Sequence, residues 1–364
     1  MRLGIPHFGH SCIAVKAIAQ RLGNNGDIQL VVPPPSSQRT LDFGVKYSPT
    51  EACLPFKLTL GNLIESCELG ADTLVQGRGT GICRLGYYVK EQEQILQDLG
   101  YNVHFVTVDV SQHKFRSMMS VIRNVTNNAP WPRVVSAFGF GVGKLFALDR
   151  IEDAVHKARA RELERGRTNQ IYRETISAID EATSSREVRK LTKECMARLN
   201  KIPKDSAITP VKVSLVGEVF VVLDPFANMD IEMELGKLGV EVDRAMSISR
   251  WIKYNLFLNK LGINEWRHVR KAAMPYLKRD VGGEGWESVG EKVVRAQNGY
   301  DGIIHLAPFT CMPEIVAQNI MPSTKEDIPV LTMLYDEQMA RPGMITRLEA
   351  FVDLLKFRRK RSRQ

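Results

Sequence analysis

Short apolar runs alternate with amphipathic ones twice in this chain, once before residue 111 and again after residue 206. In the first block "RLGIP", "IQLVVPPP", "DTLVQG" and "VHFVTVD" have strand character, and "SCIAVKAIAQRLG" and "LGYYVKEQEQILQDLGY" have helical apolar spacing. Three prolines close the second of these strands, because proline cannot continue a ladder. In the second block "VKVSLVGEVFVVLD", "LGVEV", "DGIIHLAP" and "IPVLTMLYD" are strand material. The segments "IEMELGK", "SRWIKYNLFLNKLG" and "GWESVGEKVVRAQNG" separate them as helices. Strands that alternate with helices assemble into parallel sheets with helices on their faces. Residues 112–205 differ: they are rich in Arg, Lys, Glu and Ala, and their long periodic runs predict exposed helices. The last run, "TRLEAFVDLLKFRR", places Leu348, Phe351, Val352 and Leu355 on one stripe, with Thr346 and Glu349 suited to a capping box. The expected architecture is α/β. Two Rossmann- or flavodoxin-like lobes with mostly parallel sheets, 1–111 and 206–342, are joined by a helical segment, 112–205. A C-terminal helix with a basic tail, 343–364, completes the chain.

Charge narrows the function classes. The net charge is +9, yet Lys356, Arg358, Arg359, Lys360, Arg361 and Arg363 crowd the last nine residues without one acid. Removing those six charges takes the net from +9 to +3. The basicity therefore belongs to the tail, read as a solvated helix end, and gives no reason to expect a nucleic-acid-binding body. No apolar run approaches the roughly 20 residues a membrane span requires, and "MRLGIPHFGH" lacks the apolar core of a signal peptide. The chain is expected to be cytoplasmic, with no membrane partner.

The six cysteines are at 12, 53, 67, 83, 195 and 311, and no pair has the spacing of a zinc ribbon. Structural disulfides are not expected in that compartment. Cys53, Cys83 and Cys311 share a context. Cys53 lies in "SPTEACLPFKLTLGNLIE", where Ser48, Pro49 and Glu51 signal a helix start. Cys83 follows a strand and a glycine-rich turn, and Cys311 stands between the strand "DGIIHLAP" and the helix-starting "MPEIVAQNI". Groups at the carboxyl ends of parallel strands converge on one crevice. Helix N-termini there favour thiolate over thiol. Two readings remain open at this point: small apolar residues packed under loops, or thiolate ligands of an iron–sulfur cluster. Three thiolates would hold three irons of a cubane and leave the fourth open. Cys12, Cys67 and Cys195 fall inside amphipathic helical runs and read as packed thiols.

Other segments carry weaker signals. "FGFGVGKLF" at 138–146 fits neither the phosphate-loop nor the GxGxxG spacing, and close helix packing explains its glycines better. "GGEGWESVGE" at 282–291 suits either a backbone cradle for a ligand or a turn and cap. Asp224 reads as a helix cap or a crevice residue, and His305 as a hydrogen-bonded core histidine within a strand.

The segments "KYSPTEACLPFKLTLGN", "GICRLGYYVKEQ", "HLAPFTCMPEIVAQNIMP" and "DEQMARPGMITRLEAFVDLL" together resemble the 2-hydroxyacyl-CoA dehydratase component superfamily. "GEVFVVLDPFANMDIEMELGKLGVEV" and "GGEGWESVGE" are similar to the same branch, that of the CoA-protein activases or acyl-CoA dehydratase activase-related proteins. The resemblance runs over nearly the whole chain. It implies two facing lobes and a [4Fe-4S] cluster held by cysteines of both, here Cys53, Cys83 and Cys311; on that reading Arg84 is expected to help balance the negative charge of the cluster. It also implies low-potential electrons from a separate ATPase activator protein, in a homo- or hetero-oligomer. The glycine turn reads "GTGICRLG", with Thr80 where related sequences often have a further cysteine, which argues against a double-cubane cluster. Three functions are carried forward. The first is an iron–sulfur redox component of an ATP-dependent reductase or acyl-CoA dehydratase-like system. The second is a non-catalytic scaffold or electron relay in such a complex. The third is a cofactor-free two-lobed ligand-binding protein.

Overall fold

The computed structural model of the chain describes residues 1–23, 28–78, 83–109, 126, 129–205, 209–254 and 265–362. The first sheet comprises β1 (Arg2–Gly4), β2 (Gln29–Val31), β3 (Thr73–Arg78) and β4 (His104–Asp109), in the order β2-β1-β3-β4. The second comprises β5 (Val211–Gly217), β6 (Val240–Arg244), β7 (Gly302–Pro308) and β8 (Val330–Tyr335), in the order β6-β5-β7-β8. Every pairing in both sheets is parallel. The two α/β lobes thus repeat one flavodoxin-like plan. In each, the strand order reverses between the first and third strands, so a crevice opens at their carboxyl ends.

Helices α1 (Ser11–Leu22), α2 (Gln38–Tyr47), α3 (Leu54–Glu68) and α4 (Leu85–Asp98) belong to the first lobe. The second carries α8 (Val219–Leu223), α9 (Ile231–Lys237), α10 (Ile248–Ile252), α11 (Glu265–Ala273), α12 (Gly285–Gln297) and α13 (Met312–Ile320). Between them run α5 (Trp131–Arg159), α6 (Arg167–Glu181) and α7 (Ser185–Lys201), and α14 (Arg341–Arg361) ends the chain. One apolar cluster crosses from lobe to lobe. Leu41, Leu54 and Leu58 of α2 and α3 join Val213, Val221 and Met344 of the second lobe.

Several expectations are corrected. The helices of 131–201 are not a solvated connector. α5 packs on α1 of one lobe and on α9, α10 and β6 of the other. It buries Leu148 and Ile151 along with Lys144, Glu152 and His156. Its charges deceive a periodicity reading because they are paired inside: Glu152 takes hydrogen bonds from Arg244, Tyr172 (2.7 Å) and His10 (2.7 Å). The strand expected over "VKVSLVGEVFVVLD" stops at Gly217, whose φ of +131° leaves no room for a side chain; a Cβ there would lie 2.0 Å from the Leu306 carbonyl oxygen. The chain then turns and Glu218 caps α8, accepting from the N–H groups of Phe220 (3.0 Å) and Val221 (2.9 Å).

Ser48 does not open a helix but closes α2, and α3 begins after Cys53. Nor does Thr346 cap the last helix. α14 already starts at Arg341, and the Thr346 hydroxyl donates back to the Pro342 carbonyl. The basic tail is helical to Arg361. Arg359 docks it by donating to the carbonyls of Thr209 (3.0 Å) and Pro210 (2.9 Å). The glycines of "FGFGVGKLF" lie inside α5, where close packing holds at Gly141 against α1. No helix among the described residues is long and apolar enough to cross a membrane.

Candidate functional site

Each of the three singled-out cysteines stands at the start of a helix on the carboxyl side of a sheet. Cys53 is the N-cap of α3, whose side chains are buried from Leu54 to Cys67. Cys311 is the N-cap of α13, three residues beyond the end of β7. Cys83 directly precedes Arg84, the N-cap of α4. Prolines in the first turns of α3 and α13 suit these starts, because the N–H they lack has no partner there anyway. Cys53 and Cys311 are buried and Cys83 is partly exposed.

One side chain ties these three segments together. Arg84 Nη1 donates to the Glu51 carbonyl at 2.9 Å, two residues before Cys53. Its Nη2 donates to the Thr310 carbonyl at 2.6 Å and to Thr310 Oγ1 at 2.8 Å, one residue before Cys311. The Thr310 hydroxyl also donates to the Glu51 carbonyl, at 3.2 Å. Thr310 has φ = +67°, a strained value for a β-branched residue. The guanidinium was expected to balance charge; its charge does favour the Cys53 thiolate, while its donors go to neutral carbonyls across the lobe boundary.

The thiols sense one another. Burial pushes the Cys83 thiol up to about 11, and the charges of Glu284, Cys53 and Glu218 add to the rise. Burial also raises Cys311 far above an ordinary thiol, with Glu218, Glu314 and Cys53 contributing. Cys53 is raised by burial against the opposing effect of the Tyr88 hydroxyl, which meets its sulfur. In all three, burial favours the neutral thiol over the thiolate. Three acids face them. Burial lifts the Glu218 carboxyl to about 7, opposed by the N–H groups it accepts from. Glu284 is raised well above an ordinary carboxyl, by burial and by the charges of Glu218 and Glu314. Glu314 is fully buried and bonds through Oε2 to His305 Nε2 (2.7 Å) and the Ser288 hydroxyl (2.8 Å).

The remaining cysteines stand apart. Cys12 is buried in α1, where its sulfur accepts from the Phe8 N–H at 3.5 Å, Cys67 ends α3 and Cys195 is buried in α7. His305 is the core histidine expected. Asp224 does not N-cap a helix; it accepts from the Ala227 N–H at 2.9 Å within the turn 225–230, and it faces the lobe boundary, where Ser36 donates to it at 3.1 Å. Thr80 lies outside the described residues. Among the described residues no three His, Cys, Asp or Glu side chains form a group that could hold a single metal ion. The thiolates around a cubane bind different irons and stand farther apart than the ligands of one ion. A separate cleft of about 230 Å³ lies between the lobes, lined by Leu41, Leu54, Leu58, Phe226, Met229 and Met339.

Tyr88, Glu218, Glu284 and Glu314 were not anticipated as neighbours of the thiols. Only Glu284 had a local signal, its place inside a glycine-rich turn; the others needed the topology. No family model matches the chain, and no curated protein matches it either.

Proposed function

We propose that the chain is an iron–sulfur redox protein that holds a [4Fe-4S] cluster between its lobes through Cys53, Cys83 and Cys311. The observation that carries this reading is the Arg84 tether, which binds the three cysteine-bearing segments of two lobes at one crevice. The donor set fits such a group. Cys53 acts electrostatically on both Cys83 and Cys311, three thiols are what a cubane takes, and helix N-termini stabilise the thiolates it needs. When bound, the cluster would supply one-electron chemistry.

The chain's own residues do the rest. Cys53, Cys83 and Cys311 release their protons as metal arrives, so loading is favoured by higher pH. The Tyr88 hydroxyl donates to the Cys53 sulfur once that sulfur is a thiolate. Arg84 positions the three segments. The resemblance adds the source of electrons, a separate ATPase that docks near the site.

A second reading rests on the interlobe cleft of about 230 Å³, which suits a cofactor-free ligand-binding protein. One experiment separates the two: oxygen-free reconstitution with ferrous iron and sulfide, followed by iron and sulfide analysis and a visible spectrum. About four irons per chain with thiolate-to-iron absorption supports the cluster. A colourless, iron-free chain rejects it in favour of the ligand-binding reading.

A further inference from the structure

Resting on the cluster reading, we propose that Glu284 is the fourth protein donor of this site. The site then closes on protein ligands, and the chain relays electrons rather than binding a substrate at an open iron.

The first argument is the repeat between lobes. α3 directly precedes β3 and α12 directly precedes β7, and both strands hold the third place in their sheets. The N-cap of α3 is Cys53 and the N-cap of α12 is Glu284. After β3 the next helix is introduced by Cys83, and after β7 by Cys311. Each lobe therefore offers two equivalent positions to the crevice. Three are cysteine and the fourth is Glu284.

The second argument is placement. Gly282 and Gly283 have φ of +78° and +50°, and Gly285 has no room for a side chain. A Cβ on Gly283 would lie 3.1 Å from Pro313 Cγ, and one on Gly285 would lie 2.8 Å from the Pro313 carbonyl oxygen. The backbone on both sides of Glu284 thus lies against the first turn of α13, at Pro313, two residues past Cys311. This is the geometric meaning of "GGEGWESVGE".

The third argument is that Glu284 lacks the ordinary uses of an N-cap acid. Its side chain makes no capping hydrogen bond to α12. The charges acting on it most are other acids, Glu218, Glu314 and Glu287, and Cys83 in turn feels Glu284 before any other charge. Beside it Glu314, fully buried, leaves Oε1 without a partner among the described residues. Arg84, the cation at the thiols, is committed to carbonyls. A crevice in which three acids and three thiols face one cation, Arg84, among the described residues suits a cation-rich metal core, and a carboxylate is an accepted iron donor. As a donor Glu284 would bind through a carboxylate oxygen and release any proton it carries to water, with no change of oxidation state.

The test compares wild type, Glu284→Ala, Glu284→Gln and Glu284→Cys after oxygen-free reconstitution. It measures iron and sulfide per chain, cyanide binding to the reduced protein by electron paramagnetic resonance, and loss of one iron under mild ferricyanide oxidation. Wild type should bind no cyanide and keep its fourth iron. The Ala and Gln variants should bind cyanide and lose one iron about 10-fold faster. Glu284→Cys, which installs the residue of the equivalent first-lobe position, should restore wild-type behaviour. The isosteric Gln variant guards against a folding defect in Ala, and circular dichroism checks all four. Wild type that loads iron yet binds cyanide as Glu284→Ala does overturns this proposal and leaves the cluster reading standing. Wild type that takes up no iron overturns both.

Discussion

Replacing Arg84 by Ala removes three hydrogen bonds at once, at 2.9, 2.6 and 2.8 Å, all directed at the backbone or hydroxyl of residues beside Cys53 and Cys311. Hydrogen bonds from a charged donor contribute about 1.5–3 kcal/mol each when buried. Arg84 is exposed, so water competes and roughly 0.5–1 kcal/mol each is the better figure. The total is about 1.5–3 kcal/mol, spent on holding two lobes and one strained residue, Thr310, in register. The Thr310 hydroxyl retains its own bond to Glu51, so the lobes loosen without separating. If the lost free energy falls on the thiol site, retention of iron weakens by about 10- to 150-fold. The assay is the rate of iron release from the reconstituted protein to a ferrous chelator, alongside urea unfolding. Arg84→Lys is the decisive control. It keeps the charge but cannot span two carbonyls, so it should resemble Ala. Iron release from Arg84→Lys at the wild-type rate would refute positioning and restore simple charge balance; an unchanged Arg84→Ala would refute both.

Three further outcomes follow from packing and charge. Gly141→Ala should cost about 1–3 kcal/mol, because its Cβ would lie 2.4 Å from Ile18 Cγ1 and 2.7 Å from the Ala14 carbonyl oxygen. Gly139→Ala, with open space around it, should gain up to about 1 kcal/mol of helix propensity; thermal unfolding of the pair reads both. Alkylation of metal-free Cys83 at pH 8, followed by mass spectrometry, should run about 100-fold slower than for an ordinary thiol near 9. Because this thiol is raised to about 11, the rate should climb about tenfold per pH unit toward that value; a plateau by pH 9 would contradict the buried, acid-flanked geometry. Deleting residues 356–364 should lower the melting temperature by a few degrees through loss of Arg359, and Arg359→Ala should account for most of the drop.

The strands were legible because parallel strands covered on both faces are continuous apolar runs, as β5 and β7 are, and because glycines and prolines mark their ends. The convergence of Cys53, Cys83 and Cys311 was also within reach, since helix-start residues after parallel strands gather on one edge whatever the details. The character of α5 was not. Its charged residues look solvated in the sequence, and only distant partners such as Arg244 and His10 for Glu152 and the Asp180 carbonyl for Lys144 reveal a helix held between lobes. Helix α2 was missed because "QRTLDFGVKY" carries a mid-helix glycine, which is there because Gly44 lies against the Lys57 backbone of α3. Likewise Glu218 read as strand interior until Gly217 showed the turn. Arg84 was singled out for its charge, whereas its geometry belongs to the Glu51 and Thr310 carbonyls, separated from it by 33 and 226 residues.

The central claim is that Cys53, Cys83 and Cys311 form one iron-binding unit. The direct measurement is iron per chain after oxygen-free reconstitution of six single Cys→Ala variants. Changes at 53, 83 and 311 are predicted to lose iron sharply, while those at 12, 67 and 195 keep the wild-type content of about four. Equal loss in both groups, or full retention in all six, contradicts the account.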